Sequence, residues 1–183
     1  MAKPRTQLRT IEKLNKDRLW PQAGISPDVE ESRRHLAVYE VLTTIPDEAY
    51  GALKAQVDCF AWFIPHVEIH GKVDRWPAQV YPRKQKGRIG EAPYVDVLYL
   101  SPMLEMRPFY LVLAVVAHEL AHLASKHSLL CDADLYDKQE REAWELVDRW
   151  GYEREHRLHQ QWHAKREREE QEQVQALTRR TRE

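Results

Sequence analysis

Between Pro108 and His127 the chain reads FYLVLAVVAHELAHLASKH, and from Phe109 to Ala117 every residue except Tyr110 is purely apolar. The run is too long for an ordinary strand. A helix that is apolar all round has no face to offer to water, so this segment predicts a helix covered on nearly every side. The rest of the chain has to supply its covers.

At 183 residues and 43% hydrophobic content the chain can build one real core, and its length does not favour two domains. The expected organisation is a polar basic arm over 1–27, a domain over 28–152 and a charged helical tail over 153–183. The arm carries six basic side chains in its first twenty residues against two acidic ones. Ser26-Pro27-Asp28 is a helix-start signal with proline at the first helical position, and it predicts a helix over about 28–43. Pro46-Asp47-Glu48 repeats that chemistry, and apolar residues at near-helical spacing predict a second helix running to Pro65.

From Val67 the texture changes to short alternating runs, VEIHGKV and AQVYP, which predict brief strands. YVDVLYLSP, from Tyr94, is the clearest strand, apolar enough on both faces to be largely covered. SLLCDADLYD reads as a loop, and KQEREAWELVDRWGY as a helix with Gly151 as its cap. From Glu153 onward 15 of 31 residues are charged with near-balanced sign, which predicts a solvated helix fraying toward Glu183. The fold class these elements imply is α+β, a small mixed sheet packed on the buried helix and on a second helix.

Residues 118 to 122 are His-Glu-Leu-Ala-His. On a helix, positions i and i+4 share a face, so His118 and His122 can present imidazole nitrogens to one ion. Glu119, rotated about 100° from His118, falls beside such an ion and can take a proton from a water molecule on it. Zinc supplies the complementary chemistry, acidifying water and polarising a carbonyl. Two histidines and a glutamate could instead be a solvated helix face, but the apolar neighbourhood argues against that, because it would bury Glu119 to no purpose.

A third protein ligand is needed, and the downstream candidates are His127, Glu140, Glu142 and Glu145. Ala143, Trp144, Val147 and Trp150 define the inward face of their helix. Glu140 lies on that face, while Glu142 and Glu145 point more to solvent. Glu140 is therefore the expected ligand and His127 the alternative.

VVAHELAHL followed some twenty residues later by EREAWELVDRWGY resembles the gluzincin layout of zinc metallopeptidases, particularly compact cytosolic minigluzincins and phage-type proteins. The resemblance covers residues 94–152. It implies a zincin-like fold, zinc held by His118, His122 and Glu140, hydrolysis of a peptide bond with Glu119 as general base, and a peptide or protein substrate laid along the YVDVLYL strand as on a sheet edge. Those proteins usually carry E-x-x-A-D on the second helix; here Trp144 replaces the Asp, so the hydrogen bond it would give a ligating histidine must come from elsewhere. Tyr152 or His127 are the candidates for stabilising an oxyanion. A metzincin pattern would require Gly at 125 and His at 128, where this chain has Ser125 and Ser128.

Other functional classes have weaker footing. A binding or regulatory protein could keep the same fold with structural zinc and little turnover. A net charge of -1 gives no general attraction to nucleic acid or anionic membrane, although the basic arm and RKQKGR are local exceptions. His66 and His70 fall on one side of a strand, a spacing that more often marks surface histidines than a second metal site. Cys59 and Cys131 form no disulfide framework and no stretch reaches the roughly 18 apolar residues of a membrane span, so a cytoplasmic location is expected.

Overall fold

The computed structural model describes residues 9–21, 32–57, 60–63, 78–83, 95–127 and 132–180. Its elements are α1 (Ile11–Lys16), α2 (Arg33–Thr44), α3 (Asp47–Lys54), β1 (Phe60–Phe63), β2 (Ala78–Arg83), β3 (Val95–Leu100), α4 (Phe109–Ala124), α5 (Ala133–Val147) and α6 (Glu153–Arg180). A 3-10 turn, Pro102–Met106, leads into α4, and a kinked segment, Asp148–Tyr152, joins α5 to α6.

The apolar run forms α4 as expected, and 11 of its 16 residues are buried, which makes it the centre of the molecule. It packs against α2, α3, α5 and α6, and one side touches β2. Val112, Val116 and Leu120 are fully buried, and each such side chain contributes about 1.5–3 kcal/mol over an exposed one. On α2 the covering face is Ala37, Val38, Val41 and Leu42; on α5 it is Ala143 and Val147.

The α+β, zincin-like expectation is overturned. Most of the described residues are helical, and the core forms by helix against helix. Three short strands do pair in the order β1-β3-β2, with β1 parallel and β2 antiparallel to β3. Among the strand side chains that are described, Leu98 and Leu100 join the core and Trp62 packs against it. Because β3 is flanked on both sides, it has no open edge for an added peptide strand. The VEIHGKV strand, His66, His70, Ser26, Cys59 and Cys131 lie outside the described residues.

Several boundaries also move. The first long helix starts at Arg33, with Ser32 as its cap residue. The second ends at Lys54, and Phe60–Phe63 is a strand in register with Asp96–Tyr99. The expected loop after Ser128 is helical from Ala133, because the Asp132 carboxylate accepts from the Leu135 N–H at 2.9 Å and caps the helix. Gly151 breaks that helix as foreseen. Its φ of 95° lies in the left-handed region that glycine tolerates, and the chain re-enters a helix directly after it.

The segment expected to be a polar arm reaches into the core. Leu14 and Leu19 are fully buried, and the Arg9 guanidinium donates to the Leu42 and Ile45 carbonyls at 3.1 and 2.9 Å. At the other end, the first half of α6 lies against α4 through a half-buried stripe of Glu155, Leu158, His159 and Trp162. Among the described residues no helix is long and apolar enough to cross a membrane.

Candidate metal centre

Helical spacing alone puts His118 and His122 on one face of α4, and packing of α5 against α4 brings Glu140 opposite them. The two Nε2 atoms are 3.0 Å apart. One Glu140 oxygen lies 3.2 Å from Nε2 of His118 and the other 3.2 Å from Nε2 of His122. Among the described residues this is the one group of three or more His, Cys, Asp or Glu side chains whose ligand atoms fall within 4.8 Å of one another.

These separations fit zinc. Ligands about 2.0–2.1 Å from a tetrahedral ion are about 3.3 Å from each other, and two imidazoles with one carboxylate are the donor set of catalytic sites that keep a fourth position open. Burial and the neighbouring His122 hold His118 below the ordinary histidine range, with Glu140 only partly opposing, so it presents a neutral imidazole. Burial works to raise Glu140, yet the hydrogen bonds from His118 and His122 win and hold its carboxyl below the usual range. For His118 and Glu140 these shifts favour the charge states that ligate a metal. Glu119 differs. Burial pushes its carboxyl up to about 7, with Glu140 adding to the shift and His122 opposing it.

His127 stands outside this group of three. Its Nδ1 lies 2.9 Å from Nδ1 of His122, on the far side of that ring from the Nε2 cluster. With a metal ion on Nε2, His122 would carry its proton on Nδ1 and donate it to His127. His127 Nε2 faces the Glu142 carboxylate at 3.3 Å but makes no hydrogen bond among the described residues. Glu142, expected to be merely solvated, lies beside that nitrogen, and the Nδ1 contact with His127 supports the His122 ring. Glu145 is exposed and away from the cluster, as foreseen.

His118 has no such support. Its Nδ1 is buried and has no hydrogen-bond partner among the described residues. What holds the ring is Trp144, stacked on it at 4.1 Å with planes 23° apart. Trp144 is stacked in turn on His156 at 4.2 Å and 8°, and Nδ1 of His156 pairs with the Asp148 carboxylate at 2.8 Å. Sequence reasoning set Trp144 aside as packing and missed His156 altogether.

The oxyanion candidates do not hold. The Tyr152 hydroxyl is bonded to Thr44 Oγ1 at 2.6 Å in a buried setting against α2, and His127 is engaged with His122. Tyr136, half-exposed one turn before Glu140, is the phenol beside the site: burial raises its pKa, and Glu140 and Glu119 raise it further. Its i-4 spacing from Glu140 was the signal available in the sequence.

No family model, no curated protein and no solved structure matches the chain.

Proposed function

We propose that this protein is a zinc-dependent peptidase that hydrolyses a peptide or protein substrate. The observation that carries the reading is the convergence of three ligating side chains from α4 and α5, with pairwise contacts of 3.0–3.2 Å, beside the carboxyl of Glu119. His118, His122 and Glu140 would hold the ion. When bound, zinc acidifies a water molecule and polarises a carbonyl.

Glu119 would take a proton from a water molecule whose oxygen bonds to the peptide carbonyl carbon. As the C–N bond breaks, Glu119 delivers the proton to the leaving amine. A carboxyl poised near neutrality suits both directions of transfer. Tyr136 is positioned to donate to the developing oxyanion. The lack of a disulfide framework supports a cytoplasmic location.

The test is Glu119→Gln, assayed with an unfolded protein substrate in the presence of zinc. The variant should bind zinc like wild type and lose turnover by about 10²- to 10⁴-fold. Undiminished cleavage would remove Glu119 from the mechanism. A wild-type protein that binds zinc and peptide without cleaving it would assign the fold to a binding role.

A further inference from the structure

The tail contains a second histidine pair at the spacing of the first. His159 and His163 stand one turn apart on α6, with Nε2 atoms 3.1 Å apart and ring centroids 4.4 Å apart. The corresponding distances for His118 and His122 are 3.0 and 4.5 Å. In both pairs, then, the Nε2 nitrogens converge closely enough to share one small ion or one proton.

The surroundings of the outer pair favour neutral imidazoles, the ligating form. Burial pushes His159 down to about 3, with His163 next in effect, and burial lowers His163 against the opposing charge of Glu167. His159 rests on the Trp144 indole at 4.9 Å, which restricts its ring. His163 is exposed, so water can reach the remaining coordination positions, and Glu167 lies one turn further along the same face.

We propose that His159 and His163 form a second metal site, a two-histidine clamp for a divalent transition-metal ion, facing the inner site across the Trp144 indole. Imidazole donors select zinc, nickel or copper over magnesium and calcium. With two protein ligands where the inner site has three, the clamp binds more weakly. The alternative is a simple N–H···N hydrogen bond between the rings, which binds nothing.

Calorimetric titration of the full chain with Zn²⁺, and separately with Ni²⁺, distinguishes them. Wild type should take up two ions, one tight and one weaker, and Mg²⁺ should give no heat. His163→Ala, at an exposed position, should abolish the weaker event and leave the tight one intact. His118→Ala should do the reverse. A single ion in wild type, or a weaker event that survives His163→Ala, overturns the second site. Loss of the inner event alone would test the peptidase reading, so the two claims fail separately.

Discussion

Replacing His127 by Ala removes a ring that touches the metal cluster only through another ring, and its effect on zinc affinity can be bracketed from both sides. The contact with His122 Nδ1, at 2.9 Å and part-buried, orients the His122 ring. Partners of this kind are worth about 10- to 100-fold in metal affinity, or about 1.4 to 2.8 kcal/mol. Glu140→Ala deletes a ligand. A four-ligand structural zinc site supplies roughly 10–16 kcal/mol, so one ligand carries about 2.5–4 kcal/mol, on the order of 10²- to 10³-fold. Glu142→Ala removes a half-exposed carboxylate facing His127 at 3.3 Å, for at most about fivefold.

The expected order of loss is therefore Glu140→Ala, then His127→Ala, then Glu142→Ala. Competition with a fluorescent zinc chelator at pH 7.5 measures it, with far-UV circular dichroism of each metal-free variant as the folding control. If His127→Ala abolishes tight binding while Glu140→Ala leaves it intact, His127 is the ligand in place of Glu140.

Three further outcomes are expected. Trp144→Ala should weaken zinc binding about tenfold in the same competition, whereas Trp144→Phe, which keeps a ring against His118, should retain most of it. Asp17 is buried with Lys54 at 2.8 Å, Lys13 at 3.0 Å and the Tyr50 hydroxyl at 2.8 Å; the Lys54 bond, against burial, leads in holding its carboxyl below the ordinary range. A depressed folded value stabilises fully above the unfolded value of about 3.9 and is lost as pH falls below it, so urea unfolding should show Asp17→Asn much less stable than wild type at pH 6 and closer to it at pH 3. Truncation after Arg168 removes a stretch whose described side chains, residues 169–178, are exposed and should leave the melting temperature unchanged, while truncation after Arg157 also removes His159 and Trp162 and should lower it by about 2–4 °C per kcal/mol of packing lost; equal melting temperatures would show that the tail does not dock.

What was legible in the sequence was what one helix decides for itself. His118 and His122 share a face because of the helical period, and Glu140 falls on the inward face of α5 for the same reason. The His127–His122 bond and the Trp144 stack depend on how α4, α5 and α6 cross, which no periodicity within one helix carries. FAWF was read as helix because a short aromatic run fits either period, and pairing with β3 decided it. The charge density of the tail hid its docking stripe, although Glu155, Leu158, His159 and Trp162 recur at helical spacing. The alternation in YVDVLYL did mark a strand, but a strand says nothing about how much of the core a sheet will make, and here helices make most of it. Trp144, at a position where the gluzincin resemblance led one to expect Asp, is the most informative residue. An aspartate there would accept a proton from His118 Nδ1. An indole cannot accept one, so that nitrogen is left without a partner among the described residues, and the ring is oriented by its stacked face instead.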